Sequence, residues 1–234
     1  MTKLYKKNEL LFVLILIGAY IVFFSTADVI SEALGIIKSV TVPVGMLLSV
    51  GIYLWLRKNK LCERYGLCKP SDMRLIDFLF LLFVVSANLW NGISLNYAAE
   101  ETALYIVSML FVGFLEEVIF RGFLFKALST ESERVAIIVS SVTFGVGHIV
   151  NLMNGAELIP TVIQICHATV IGYIFTLIFI RTRSLWLCIA AHSLINSLDV
   201  FSAGDLNTVQ LIIFTAVLIG VAVFYTYIYR RADT

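Results

Sequence analysis

An all-α, polytopic membrane helix bundle is the fold class this sequence predicts, on three observations. Of its 234 residues, 60% are hydrophobic and 14% charged, where a soluble domain has about 45–50% and about 25%. The apolar residues form repeated runs near the ~20 residues that a spanning helix needs. Lys and Arg fall on alternate connections between those runs, as the basic bias of cytoplasmic loops requires.

The runs give about eight transmembrane spans. The first, 9–27, follows Lys3, Lys6 and Lys7. Those charges, the apolar run and Ser25-Thr26-Ala27 resemble a signal peptide, but removing this helix would break the charge alternation, so it is expected to stay. The second span, 36–56, is followed by Arg57, Lys58, Lys60, Arg64, Lys69 and Arg74, and the third covers 75–94. Spans four, 104–127, and five, 135–153, are joined through Lys126 and Arg134. Arg181 and Arg183 separate span six, 159–180, from span seven, 185–200, and span eight, 208–229, ends at Arg230 and Arg231. All but two of the 17 basic residues thus lie on one side. The opposite connections hold Asp28, Glu32, Glu100, Glu101, Glu157 and Asp205, with Lys38 their one basic residue; Arg121 lies inside span four. Both termini are therefore expected in the cytoplasm. With no repeat, low-complexity tract or Pro/Gly-rich linker, the chain is expected to be one integral-membrane domain, 1–234, with its motif-bearing core over about 104–200.

The net charge of +1, with no basic module along the chain, gives no sign of a nucleic-acid partner, and none is expected. Cys62 and Cys68 fall in a cytoplasmic connection, where a disulfide is not expected and C-x5-C is a poor zinc pattern. Cys166 and Cys188 are expected to pack inside spans as small apolar groups.

Ionisable residues inside spans cost roughly 2.5–3.5 kcal/mol each on insertion scales and mark functional sites. Span four holds Glu116, Glu117 and Arg121. Glu117 and Arg121 are four apart, on one helical face, with the acid first, the better order for an ion pair. Glu116 is rotated by about 100° from Glu117 and needs a partner from another helix, or a proton. Span five carries Phe144 and His148 four apart, with Gly145 and Gly147 expected to admit a neighbouring helix. Span seven carries His192 and Asn196 on one face. Interhelical hydrogen bonding would also account for these residues, and a structural role is expected for His167 and for Tyr173.

Together, a carboxylate, two imidazoles and an amide on three spans suit hydrolysis of a peptide bond. Neither H-E-x-x-H nor G-x-S-x-G occurs, so neither that zinc helix nor that serine elbow is available. Ser202-Ala203-Gly204-Asp205 has no matching second intramembrane aspartate. Activation of water by a carboxylate remains: a histidine can share the water and shuttle its proton, and further donors can hold the oxyanion.

Glu116-Glu117-x-x-x-Arg121, Phe144-x-x-x-His148 and His192-x-x-x-Asn196, in that order on separate helices, resemble the CAAX protease and bacteriocin-processing (CPBP, Abi) family of intramembrane endopeptidases. The resemblance covers about 114–196, and the first three spans carry none of it. It implies an eight-helix core in which Glu116 and His148 activate water and His192 and Asn196 form the oxyanion site. Glu117, Arg121 and Phe144 would then support that geometry. No cofactor is expected; if zinc is used, its ligands would be Glu116, His148 and His192, with water as the fourth. The implied substrates are membrane-associated peptides or proteins, prenylated or bacteriocin-like. The compact chain fits a bacterial plasma-membrane protein associated with bacteriocin processing or immunity. A non-catalytic immunity protein, or a proton-coupled transporter using the same buried Glu and His residues, is the alternative.

Overall fold

Helices account for every apolar run in the computed structural model, which describes residues 1–153, 155–204 and 207–232. Asp205, counted above among the outer acids, lies outside the described residues. A short helix α1 (Thr2–Lys7) precedes α2 (Glu9–Ala33). Asn8 divides them, its side chain accepting from the Leu11 N–H at 2.9 Å to cap α2. There follow α3 (Thr41–Lys58), α4 (Leu75–Ser86, prolonged by a 3₁₀ turn to Leu89) and α5 (Ala99–Glu117). A π-helical segment, Val118–Leu124, joins α5 to α6 (Phe125–Ser129). The remainder comprises α7 (Glu133–Gly147), α8 (Val150–Met153), α9 (Leu158–Thr182), α10 (Trp186–Asp199) and α11 (Thr208–Ala232). Among the described residues the only β pairing is an isolated bridge between Ile93 and Ser202.

Among the described residues, five helices are long and apolar enough to cross a membrane: Glu9–Ala33, Ala99–Ser129, Glu133–Leu152, Leu158–Thr182 and Thr208–Ile228. Leu75–Leu89 is apolar but shorter, α3 closes on Arg57 and Lys58, and α10 has 14 residues. The molecule is a polytopic helical bundle, although the expected eight runs do not all reach spanning length. The seventh is short because its last turn ends at Asp199. The fifth is interrupted: α7 stops at Gly147, and His148 is its C-cap rather than an interior residue.

Large apolar side chains point outward, as a surface facing lipid requires; Leu47 is 69% exposed and Leu82 65%. Inside, α5 packs on α10 and α3, α9 packs on α7 and α11, and α4 packs on α10. Gly145 makes the α7–α9 contact possible: a Cβ there would lie 2.7 Å from the Ile165 carbonyl oxygen and 2.9 Å from the Thr169 nitrogen. Gly147, expected to serve the same purpose, has no atom within 4 Å of its would-be Cβ. Cys188 is buried as expected and donates to the Phe175 carbonyl at 3.4 Å, whereas Cys166 is exposed. His167 stands edge-on to Phe214, ring centroids 5.4 Å apart, and Tyr173 joins α9 to α11 through Thr226 at 2.9 Å.

Two charges counted above as loop residues are paired within the fold. Arg181, in the last turn of α9, forms a buried ion pair with Asp77 at the start of α4. The Tyr225 hydroxyl of α11 donates to the same carboxylate at 2.6 Å. At the other end, Lys38 binds Asp28 at 2.9 Å, which neutralises the one basic residue on the acidic side.

Candidate active site

The helix carrying Glu116, Glu117 and Arg121 changes its winding where those charges lie. α5 ends at Glu117, and all of Val118–Leu124 is buried in the π segment. Such turns insert a residue into the α register and gather at functional sites. Within this segment Arg121 Nη1 donates to Glu117 Oε1 at 3.0 Å, and both side chains are fully buried. The Arg121 guanidinium also lies over the Phe144 ring of α7, 4.0 Å from its centroid. An aromatic face at that distance attracts the cation and excludes water from it. Arg121 Nε and Nη2 and Glu117 Oε2 have no hydrogen-bond partner among the described residues.

Glu117 does more than balance Arg121. Its Oε1 also lies 2.7 Å from His192 Nδ1 on α10, 75 positions along the chain. An ionised carboxylate can only accept, so Nδ1 carries the proton of this bond. The bond fixes the ring and turns Nε2 towards Glu116, 3.6 Å from its Oε2. The partner that Glu116 needed thus comes partly from α10. Its other partner comes from α2: the Tyr20 hydroxyl donates to Glu116 Oε1 at 2.5 Å. Glu116 retains slight exposure, 15% of its side chain, where Glu117 has none.

Phe144 is the hub of the aromatic contacts. Its ring meets His148 edge-on at 5.7 Å and His192 edge-on at 5.6 Å. His148 makes no hydrogen bond to Glu116 among the described residues. Asn196 follows His192 by one turn on α10, partly buried, and its amide has no hydrogen-bond partner among the described residues. The structure gathers Glu116, Glu117, Arg121, Phe144 and His192 tightly, brings His148 against their edge, and leaves Asn196 one turn away.

The spacing of Glu116 Oε2 and His192 Nε2 is close to that of two ligands on one tetrahedral zinc. A third is lacking: among the described residues no group of three or more His, Cys, Asp or Glu side chains is placed to hold a metal ion. As placed, His148 does not join Glu116 and His192 in the three-residue group named above for zinc.

Tyr20 is the residue that sequence reasoning missed. Its signal was a phenol in the middle of an apolar first span, together with a glutamate on span four in need of a partner.

Residues 98–198 match the family model described as type II CAAX prenyl endopeptidase Rce1-like. The matched segment runs from just before α5 to the last turn of α10 and contains every motif residue from Glu116 to Asn196. No curated protein and no solved structure matches the chain.

Proposed function

Because residues 98–198 match the type II CAAX prenyl endopeptidase Rce1-like family model, we propose that the protein is an intramembrane endopeptidase whose Glu116 activates water against a membrane-associated peptide. The observation that carries the mechanism is His192 held between two carboxylates, 2.7 Å from Glu117 and 3.6 Å from Glu116. The longer distance exceeds a direct hydrogen bond and suits a shared water.

In this reading, Glu116 Oε2 takes a proton from that water as the water oxygen bonds to the scissile carbonyl carbon. The carbonyl oxygen becomes an oxyanion. The proton passes by way of His192 Nε2 to the amide nitrogen, the C–N bond breaks, and a carboxyl and an amine leave. Glu117, paired with Arg121, stabilises the imidazolium that forms meanwhile, as a carboxylate does behind a catalytic histidine. His148 and Asn196 are the oxyanion donors, each worth roughly 2.7–4 kcal/mol in comparable sites. The family resemblance gives the water to His148 and the oxyanion to His192; the Nδ1 bond to Glu117 supports exchanging those two roles. We assign the chemistry to protein groups without a metal, and the substrate to prenylated CAAX-type tails. The charge segregation supports insertion in the plasma membrane with both termini in the cytoplasm.

The test is cleavage of a fluorescence-quenched farnesylated CAAX peptide, and of its unprenylated counterpart on a lipid anchor, by protein in liposomes. Glu116→Gln is expected to lower kcat by about 10²–10⁴, the usual loss for a general base. If neither peptide is cut, or if the variant cuts like the wild type, the reading fails. Protection of cells against a bacteriocin-like peptide that survives Glu116→Gln would instead favour immunity by binding.

A further inference from the structure

Glu116 is anchored from outside the family-matched segment. The Tyr20 hydroxyl of α2, 96 positions away, donates to Oε1 at 2.5 Å. The Tyr20 ring is itself held against Phe24, one turn along, with centroids 4.7 Å apart. On the other side, His192 faces Oε2 at 3.6 Å. The two oxygens of one carboxylate are therefore differently occupied. Oε1 receives a short hydrogen bond from a neutral donor with no proton-accepting task, and Oε2 is turned to the imidazole and to whatever lies between them. Rotation of the carboxylate about its last bond would exchange the two oxygens, and the Tyr20 bond opposes it. Hydrogen bonds to an ionised group are short and about twice as strong as neutral ones.

We infer that Tyr20 is a positioning residue that holds Oε1 of Glu116 so that Oε2 alone is presented to the attacking water. This rests on the reading of Glu116 as the base. It also makes α2 part of the active site, although residues 98–198 contain all the motifs. Glu116 moves little during turnover because both ends of its carboxylate are assigned before substrate arrives, which is the pre-organisation that catalytic geometry requires.

The test uses full-length protein in liposomes with the farnesylated quenched peptide, comparing Tyr20→Phe, Tyr20→Leu and Glu116→Gln. Loss of one hydrogen bond to a charged group is expected to lower kcat about 10- to 100-fold in both Tyr20 variants, with KM within about twofold of wild type. If Tyr20→Phe keeps full kcat while Tyr20→Leu loses it, the ring and not the hydroxyl matters, and the inference is overturned. If Glu116→Gln remains active, the proposed function falls and Tyr20 with it; an inactive Glu116→Gln beside an unaffected Tyr20→Phe removes Tyr20 alone. Infrared spectroscopy provides a readout that needs no cleavage. The carboxylate stretching band that disappears in Glu116→Gln should be displaced in Tyr20→Phe, and an undisplaced band also overturns the inference.

Discussion

Glu117 shows how one side chain can carry several demands. Its Oε1 accepts from Arg121 at 3.0 Å and from His192 at 2.7 Å with no exposure to solvent. Removing a single partner from a buried charge pair leaves the other uncompensated, at about 3–5 kcal/mol. Arg121→Ala is accordingly expected to destabilise the protein by about that amount in denaturant unfolding. Arg121→Lys should recover only part of it, because an ammonium lacks the planar face that lies on Phe144. At this scale the Glu117–Arg121 pair was legible, since a four-residue spacing puts two side chains on one face. The bond to His192 was not, because it depends on where α10 lies against α5. A further expectation follows from the proposed metal-independent chemistry: peptide cleavage should persist after treatment with a zinc chelator, and loss of activity restored by zinc would contradict it.

Elements matter through how closely they approach. α5 and α10 meet at Gly113, where a Cβ would lie 2.9 Å from the Ser193 nitrogen and 3.1 Å from its Cα. Both are backbone atoms, so one helix must shift. Gly113 and Ser193 adjoin the turns that bear Glu116 and His192, and a displacement of about 1 Å can cost about 100-fold in rate. Gly113→Ala is therefore expected to lower kcat by at least about tenfold. Gly220→Ala on α11, with no atom within 4 Å, should gain about 0.5–1 kcal/mol in stability and leave kcat unchanged; equal behaviour of the two variants would show that the helix approach is unimportant. The existence of each helix was legible because apolar runs of that length have few alternatives in a bilayer. The end of α7 at His148 and the π segment around Arg121 were not. Both are departures from regular winding that neighbouring helices impose.

Across the whole molecule, buried polar links tie the ends of distant helices. Asp77 of α4 is fully buried, paired with Arg181 of α9 and bonded to Tyr225 of α11. This cluster clamps three helices that share an apolar core separate from the one that α2 and α3 join. Asp77→Ala, which strands Arg181, should cost about 3–5 kcal/mol, and Tyr225→Phe about 1–3 kcal/mol, both measured by unfolding in detergent. A larger loss from Tyr225→Phe than from Asp77→Ala would contradict the ion pair as the main link. By itself the sequence determined the membrane environment, the order of helical runs, the sidedness of charge and which residues were out of place in lipid. These follow from composition and from spacing along one helix, which are local properties. Only the tertiary structure decided that His192 leans on Glu117, that Tyr20 holds Glu116, and that Arg181 is a core residue and not a loop charge. Each is a contact between helices 75 or more positions apart in the chain, fixed by helix packing that no local periodicity encodes.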